Sequence, residues 1–465
     1  MKIKVKNLGV LRQAEFELGD LTIICGKNNT GKTYATYALF GFLSFWRSVF
    51  KIDIPAEFVE RLMKDGAADI DLEYFVRKAP DIVKQGCLDY IKHLPNVFAS
   101  SEKNFSDASF LINIDVNDVN LKKSFERTIS SSNNKLFAIS KQADDSKFLI
   151  SLLVDKDDVK VPSQIISQII GDAVKEILFS SLFPNVFIAS AERTGAAIFR
   201  KELNFARNRI LEEISSKGIE IDPFDLLTKA YSDYPLPVKD NVDFTRQLEE
   251  ISKKDSFITR QHPDILSDFG NIIGGSYSVT KNEELFFIPK VNKRLKLTMD
   301  ASSSAVRSLL DIGFYLRHVA KENDLLMIDE PELNLHPENQ RRVARLLARL
   351  VNTGIKVFLT THSDYIIKEL NTLIMLNHDK THLKHIMESE GYKKEEMISP
   401  YKVRVYIAEE ALVNIDGCSR RSKCLTFVPA DIDPELGIEV RSFDTTINEM
   451  NRIQEAIYFG GGDSE

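Results

Sequence analysis

The chain has 465 residues, of which 43% are hydrophobic and 28% are charged, so it is a folded globular protein and general disorder is excluded. This length allows about three domains, or one large α/β unit that carries insertions. With 61 Lys and Arg residues against 68 Asp and Glu residues, the net charge of −7 gives no global attraction to nucleic acid or to an anionic membrane.

Cysteine content and hydropathy indicate a cytoplasmic protein. Four scattered cysteines make no disulfide framework, which indicates a reducing compartment; they are Cys25, Cys87, Cys418 and Cys424. The most apolar run, residues 34–46, is too short to span a bilayer, and we expect it to be a buried helix. The first residues contain no apolar stretch of the kind found in secretory signals. We therefore expect neither export nor membrane contact.

Three short strands are predicted before residue 26, and the third, residues 21–25, is nearly all apolar and should be central. It leads into the sequence GKNNTGKT at a strand-to-helix junction, which fits the pattern G-x-x-x-x-G-K-T. Glycines let backbone N–H groups surround an anion, so this loop is predicted to bind phosphates. Lys32 should neutralise phosphate oxygens and Thr33 should ligate Mg²⁺. The predicted phosphate-binding residues are Gly26, Lys27, Asn28, Asn29, Thr30, Gly31, Lys32 and Thr33.

Two insertions are predicted after this loop. Residues 51–185 combine an amphipathic helical stretch, four short strands and a helix at 163–182, and residues 201–284 are mostly helical. From residue 285 onward, strands and helices alternate as they do around a parallel sheet. We predict strands at 186–191, 325–328, 356–360 and 373–376, helices at 302–321, 338–352 and 365–370, a hairpin of 403–407 with 425–428, and a last helix near 447–457.

Two adjacent acids follow the apolar strand that ends near residue 328. Buried carboxylates are costly unless a metal or hydrogen bonds compensate them. We predict that Asp329 holds Mg²⁺ and that Glu330 activates a water molecule for in-line attack on a phosphate. A solvated strand end is the alternative interpretation.

Polar residues also end the next strand, where Thr360 and Thr361 precede His362. His362 is predicted to donate a hydrogen bond to the γ-phosphate and so to distinguish ATP from ADP. Because the carboxyl ends of parallel strands meet at one edge of a sheet, we expect the three motifs to converge there. The candidate catalytic residues are therefore Glu330, His362 and Lys32.

The order of these motifs resembles that of the ABC-type ATPases. Residues 335–337, Leu-His-Pro, are similar to the OLD-like branch of AAA ATPases, and residues 189–195, ASAERTG, resemble a segment of many stand-alone bacterial members. The resemblance implies an α/β fold of the P-loop NTPase class, an ABC/SMC-like ATPase head with a mixed sheet and with helical and β insertions. It implies a core of residues 1–50, 186–200 and 285–380, insertions at 51–185 and 201–284, and a C-terminal hairpin and helix at 381–465 that pack on the core.

The same resemblance implies that ATP lies between two heads of a homodimer or higher oligomer. Residues 301–307, ASSSAVR, match the signature helix that faces the partner's nucleotide, through Ser302, Ser303 and Ser304, although the paired glycines of the common signature are missing. The alternative is that Ser302 is only a helix N-cap. Residues 332–337 match the loop that communicates between heads.

Stand-alone proteins that resemble this one often serve in bacterial antiphage or toxin-antitoxin systems. The expected function is thus an ATPase, with ATP and Mg²⁺ as cofactors, that regulates or scaffolds a separately encoded effector such as a nuclease or toxin. A RecF/SMC-like DNA-repair ATPase, stimulated by DNA, is the alternative. Its direct support is a stripe of arginines, which is otherwise a solvated helix face: Arg341, Arg342, Arg345 and Arg349. A transporter energy subunit is disfavoured by residues 332–337 and by the long insertions.

Two further features of the C-terminal part indicate no additional chemistry. His378, His382 and His385, with Asp379, occur at helical spacing but fit no standard zinc pattern, so a polar helix face is favoured over a metal site. Residues 405–410 lack the glycine of a TOPRIM nuclease, and we expect no intrinsic nuclease.

Overall fold

The computed structural model describes residues 1–131, 134–154, 161–198, 234–280, 284–417, 420–438 and 449–457. Much of the predicted second insertion, residues 201–233, and Cys418 lie outside the described residues. Cys25, Cys87 and Cys424 are free thiols.

A six-stranded sheet forms the centre of the fold. In spatial order its strands are β16 (Arg421–Pro429), β15 (Val403–Asn414), β3 (Leu21–Cys25), β14 (Lys356–Thr361), β13 (Leu325–Asp329) and β9 (Val186–Ala189). All neighbours are parallel except β16, which runs antiparallel to β15. Strands β3 and β13 are buried along their whole length, as expected for parallel strands covered on both faces.

Successive residues of the central strands contribute to two separate hydrophobic cores. Ile24 and Met327 belong to one core together with α1 (Lys32–Val49), whereas Ile23 and Ile328 belong to the other. This division follows from the period of two along a strand. The predicted buried helix at residues 34–46 is confirmed as the interior of α1, which includes the fully buried Trp46.

The remaining helices connect or cover these strands. They are α2 (Ala56–Asp65), α3 (Glu73–Ile91), α4 (Leu94–Phe98), α5 (Ser163–Phe179), α6 (Arg193–Ile198), α7 (Leu236–Arg246), α8 (Leu248–Ile251), α9 (Phe257–Gln261), α10 (Pro263–Ile273), α11 (Ser304–Ser308), α12 (Leu310–Phe314), α13 (Pro337–Asn352), α14 (Asp364–Met375) and α15 (Thr381–Glu390). A π-helical turn, Tyr315–Val319, continues α12, and residues 449–457 are helical.

Four smaller sheets flank the centre, and neighbouring strands in each are antiparallel. Their strands, in spatial order, are β2 (Leu11–Glu17), β1 (Lys2–Leu8) and β5 (Ser109–Asn113); β4 (Ala67–Asp71), β8 (Lys147–Leu152), β7 (Asn134–Lys141) and β6 (Phe125–Ser131); β10 (Gly275–Val279), β11 (Leu285–Pro289) and β12 (Leu297–Thr298); and β17 (Ile432–Asp433) with β18 (Gly437–Ile438).

Some secondary-structure predictions are wrong. Residues 373–376 do not form a strand, because Leu373 and Ile374 continue the buried face of α14 at helical spacing. Strand β4 interrupts the amphipathic helical stretch that was predicted at the start of the first insertion. The helix predicted from Ser302 begins at Ser304 and breaks at Leu309, between α11 and α12.

The C-terminal hairpin extends the central sheet at one edge of β3. The first half of β15 pairs in parallel with β3, while its second half projects as a hairpin with β16. The apolar residues Val403 and Val405 are buried in the second core. Hydrogen bonding to the edge of β3 satisfies its backbone groups, which packing alone would leave unpaired.

Candidate active site

The loop between β3 and α1 needs glycine at both of its ends. Gly26 has a φ angle of 139° and Gly31 one of 93°, in a region that L-residues with side chains rarely adopt. A Cβ atom at Gly26 would lie 2.5 Å from the carbonyl oxygen of Ala408 in β15. The C-terminal hairpin therefore helps to determine the path of the loop.

The N-terminus of α1 is open toward this loop. Gly31 is its N-cap, and no described side chain caps the helix. The first N–H groups of the helix are therefore available to an anion. Lys32 is buried, and its Nζ donates to the carbonyl oxygens of Gly26 at 2.9 Å and Lys27 at 2.7 Å. Burial lowers the pKa of Lys32, whereas the carboxylates Glu330 and Asp329 oppose this shift.

Two oxygen donors meet beside the loop. The hydroxyl of Thr33 lies 3.4 Å from Oδ2 of Asp329, and Thr360 donates a hydrogen bond to Oδ1 of the same carboxylate. Burial raises the pKa of Asp329 to about 6, and the neighbouring Glu330 adds to the effect. A hydroxyl and a carboxylate are ligands that Mg²⁺ prefers, so Thr33 and Asp329 fit the metal predicted for them.

Glu330 and His362 lie next to each other at the same edge of the sheet. Glu330 has a φ angle of 53°, and its N–H donates to the carbonyl oxygen of Thr360 at 3.1 Å. Nδ1 of His362 is 3.5 Å from Oε1 of Glu330, and the imidazole is 42% exposed. The three motifs, which are distant in sequence, thus come together as expected for parallel strands that end side by side.

Glu332 also belongs to this edge, although sequence analysis placed it only in the loop that communicates between heads. Its Oε1 accepts hydrogen bonds from the hydroxyl of Thr361 at 2.9 Å and from the N–H of His362 at 2.8 Å. The side chain is buried and joins the segment after β13 to the end of β14. Glu332 therefore fixes the backbone of His362 within one chain. The feature of the sequence that could have revealed this role is a third acid close to the Asp-Glu pair.

Arg193 is a second residue that sequence reasoning missed, since it appeared only within a resemblance. Its side chain donates four hydrogen bonds of 2.7–2.8 Å, and the residue is only 1% exposed. The acceptors are the carbonyl oxygens of Ser190, Ser308, Asp329 and Glu330. Arg193 therefore connects the ends of β9 and β13 to α11. In the sequence, this role was marked only by a charged residue a few positions after an apolar strand.

Glu192 adds another carboxylate to this edge. Its Oε2 accepts a hydrogen bond of 3.0 Å from the hydroxyl of Tyr37 in α1. The charge of Glu192 contributes to the raised pKa of Asp329. The region around Thr33 and Asp329 is consequently rich in negative charge, which a divalent cation would offset.

The three signature serines have different environments. Ser303 is the N-cap of α11 and accepts from the N–H of Val306 at 3.3 Å, so the alternative that Ser302 is the N-cap is wrong. Ser302 is buried and donates to the carbonyl oxygen of Thr298, whereas Ser303 and Ser304 are exposed. Among the hydrogen bonds of the described residues, none joins these serines to the phosphate loop of the same chain.

The arginine stripe on α13 is held by carboxylates and is not simply a solvated face. Ion pairs join Arg341 to Glu369, Arg342 to Glu338, Arg345 to Glu396, and Arg349 to Asp264 and Asp268. Arg349 is buried, because α10 packs against α13 at this point. Arg341, Arg345 and Arg349 therefore fasten α13 to its neighbours, whereas Arg342 pairs within the helix, and this weakens the stripe as support for DNA binding.

His382 and His385 lie in α15, and His378 lies before it. Nε2 of His378 lies 2.5 Å from the carbonyl oxygen of Pro434, while Asp379 pairs with Lys384. Within the described ranges, no group of three or more His, Cys, Asp or Glu side chains is arranged to hold a metal ion. In the same ranges, no helix combines the length and the apolar character needed to cross a membrane.

A glycine loop before an uncapped helix, with acids and a histidine at the ends of adjacent parallel strands, defines a P-loop nucleotide-binding protein. Residues 1–367 match the family described as the AAA ATPase domain, and the chain belongs to this family. It therefore contains an ATPase domain of the AAA type. The expected α/β fold of the P-loop class, with a mixed central sheet, is confirmed. No curated protein matches the chain.

Solved structures of SMC heads are similar to this chain at low identity. The SMC head domain from Thermotoga maritima is 12% identical with a TM-score of 0.29, over 93% of this chain and 98% of that one. The Smc head domain with an extended coiled coil, bound to the C-terminal domain of ScpA derived from Pyrococcus furiosus, is 12% identical with a TM-score of 0.29, over 97% and 98%. An SmcHead bound to the C-winged helix domain of ScpA is 11% identical with a TM-score of 0.33, over 91% and 97%. Scores this low establish no shared function.

Proposed function

We propose that this chain binds ATP with Mg²⁺ and hydrolyses it at the edge where β3, β13 and β14 end. The observation that carries the proposal is the convergence of Lys32 and Thr33 with Asp329, Glu330 and His362. Bound Mg²⁺ would offset phosphate charge. The loop and the first turn of α1 would bind the phosphates, and Lys32 would exchange its loop carbonyl acceptors for phosphate oxygens.

Glu330 is the proposed general base. Its carboxylate is partly accessible to solvent and lies beside His362. Both residues are at the edge of the sheet that carries the phosphate loop. A carboxylate here can accept a proton from an attacking water molecule. His362, held through its backbone by Glu332, would donate to the γ-phosphate. The left-handed backbone at Glu330 directs its side chain away from the path of a regular strand.

At the biological level, we propose the ATPase part of a cytoplasmic bacterial antiphage or toxin-antitoxin-like system. The protein would act as a dimer or higher oligomer of ATP-bound heads that regulates or scaffolds a separately encoded effector. The support is the resemblance of residues 189–195 and 335–337 to stand-alone bacterial ATPases. The direct support for the alternative DNA-repair role is weakened, because Arg341, Arg345 and Arg349 are engaged by carboxylates of neighbouring elements.

Two substitutions test the chemistry. Lys32→Ala should abolish tight ATP binding, since it removes the cation that faces the phosphates. Glu330→Gln should retain binding within a few-fold but reduce hydrolysis by about 100-fold or more, because the amide cannot accept the proton. Both are measured by nucleotide titration and by phosphate release, with Mg²⁺ and with EDTA. Equal turnover of Glu330→Gln and wild type would remove Glu330 from its role.

The biological part needs its own experiment. Glu330→Gln protein, saturated with ATP, should retain an effector protein when it is isolated from its native cell, and Lys32→Ala protein should retain less of it. Recovery of DNA with both variants, without any protein partner, would contradict the effector role while leaving the ATPase site intact.

A further inference from the structure

A concave pocket of about 480 Å³ lies between α10, α13 and the turn at residues 393–396. This volume is within the range of small-molecule pockets and is too small to enclose a duplex. None of its lining residues belongs to the phosphate loop or to the ends of β13 and β14. The pocket is thus a different place from the candidate active site.

Basic side chains from three parts of the chain converge on this pocket. They are Lys290, Arg342, Arg345, Arg349 and Lys393. Two carboxylates, Asp268 and Glu396, also line it, which leaves an excess of three positive charges. Asp264 and Glu338 bind Arg349 and Arg342 from outside the lining and reduce this excess to one. A positive pocket is a local exception in a chain with a net charge of −7.

The carboxylates hold Arg345 and Arg349 in place, whereas Lys290 and Arg342 keep hydrogen-bond donors that a ligand can use. Arg345 donates to Glu396 at 2.8 Å, and Arg349 is bound by two aspartates, so both guanidinium groups are fixed. Nε of Arg349 is buried and has no hydrogen-bond partner among the described residues. Among the described residues, the hydrogen bond of Lys290 goes to the neutral amide of Asn271, at 2.8 Å. Arg342 is 48% exposed and uses its Nε on Glu338.

We propose that this pocket binds a small molecule that carries a phosphate or pyrophosphate group, with Lys290 and Arg342 as its principal contacts. Lys ammonium and Arg guanidinium groups are the side chains that bind phosphate oxygens most strongly. Because Arg345 and Arg349 are already held in place, only Lys290 and Arg342 need to become ordered when the ligand binds. The site does not depend on the proposed function, since it shares no residue with the ATPase edge.

The test is a calorimetric titration of inorganic pyrophosphate into the Lys32→Ala chain, in which the phosphate loop lacks its cation. Adding Lys290→Ala and Arg342→Ala should weaken the remaining binding by about 10-fold or more, because two charge-assisted contacts are lost. Both positions are peripheral, so the thermal unfolding temperature should not change. The matched control is Arg77→Ala with Lys78→Ala in α3, which removes the same charge from an exposed surface and should leave binding unchanged.

Three results would overturn the proposal. They are no pyrophosphate binding in the Lys32→Ala chain, equal binding with and without the pocket substitutions, or an equal loss in the α3 control, which would indicate a general charge effect. Displacement of pyrophosphate by duplex DNA at lower concentration than by nucleoside phosphates would also contradict it, because the ligand would then be a macromolecule. If the double substitution unfolds the chain, Arg342→Gln alone should weaken binding while Arg77→Gln should not.

Discussion

One buried side chain, Arg193, organises much of the active-site edge at the scale of single residues. Its guanidinium binds the carbonyl oxygens of Asp329 and Glu330, the two residues with proposed metal and base roles. It also binds Ser308 at the end of α11, whose first residues are expected to meet a partner's nucleotide. Arg193 is therefore a positioning residue that holds the base relative to the serine helix.

We predict that Arg193→Lys lowers kcat by about 10-fold or more while ATP binding stays within about three-fold, because an ammonium group cannot reproduce the fork of four hydrogen bonds. Steady-state kinetics and nucleotide titration separate the two effects. The control is Arg246→Lys in α7, another mostly buried arginine. It should leave kcat unchanged. A drop in melting temperature without any selective loss of kcat in Arg193→Lys would assign this arginine a structural role alone.

Asp311 in α12 gives a pH dependence at the same scale. It is fully buried, neither oxygen has a hydrogen-bond partner among the described residues, and burial raises its pKa to about 7. Between about pH 4 and 7 the unfolded chain loses this proton while the folded chain keeps it, so the folded state loses stability as pH rises.

Asp311→Asn should remove this part of the pH dependence. From pH 5 to pH 8, the free energy of unfolding of the variant minus that of wild type should increase by on the order of 2 kcal/mol, because only wild type loses stability over this range. Denaturant titrations of both proteins at the two pH values measure this difference, and constant effects of the substitution cancel. A pH-independent difference would show that the carboxyl is not protonated in the folded state.

At the scale of elements, close approach of helices depends on glycines that the sequence pattern does not mark. In α3, a Cβ atom at Gly86 would lie 2.3 Å from the ring of Phe50, which follows α1 and is buried. In α5, by contrast, a Cβ atom at Gly171 would make an ordinary contact at 3.5 Å. Both glycines lie inside helices, where alanine is intrinsically preferred.

We therefore predict opposite effects of the same substitution. Gly86→Ala should destabilise the chain by about 1–3 kcal/mol, because the ring of Phe50 must move in a close-packed core. Gly171→Ala should be neutral or stabilise by up to about 1 kcal/mol through helix propensity. Thermal and denaturant unfolding measure both. Equal stability of the two variants would mean that the contact between α1 and α3 adapts without cost.

At the scale of the whole molecule, the proposed dimer depends on the exposed start of α11. Ser304 is the first residue of that helix and is exposed. A glutamate there would interact favourably with the helix dipole. It would, however, repel the triphosphate of ATP bound to a partner chain. Stability and assembly are thus expected to respond differently to one charge.

We predict that Ser304→Glu prevents the ATP-dependent dimer of the Glu330→Gln chain. The matched control is Ser163→Glu, at the exposed first residue of α5, which should dimerise normally. Light scattering with size-exclusion chromatography, in ATP and in ADP, reports the mass of each. Normal dimers of Ser304→Glu in ATP would exclude contact of this helix start with the partner's nucleotide.

Features that depend on neighbours along the chain could be predicted from the amino-acid sequence alone. The glycine loop, the buried run of α1, the apolar strands and the acids after β13 were all visible, because a strand or helix imprints its period and its ends on nearby residues. The same period misassigned residues 373–376, since a short apolar run fits either a strand or the buried face of a helix. The roles of Lys32, Glu330 and His362 were predicted and stay predictions, although the structure brings their side chains to one edge.

The pairing of polar groups that are distant in sequence could not be predicted, because it depends on how the elements pack. Arg193 and Asp329 are 136 residues apart in sequence. The pairing of β9 with β13 brings the buried guanidinium close to its acceptors. Arginines of α13 likewise pair with carboxylates on α10 and α14. Part of the stripe that the sequence suggests to be a surface therefore lines a pocket. Sequence periodicity reports which face is buried, but partners across that face depend on packing, because a buried polar group accepts whichever donor the fold places beside it.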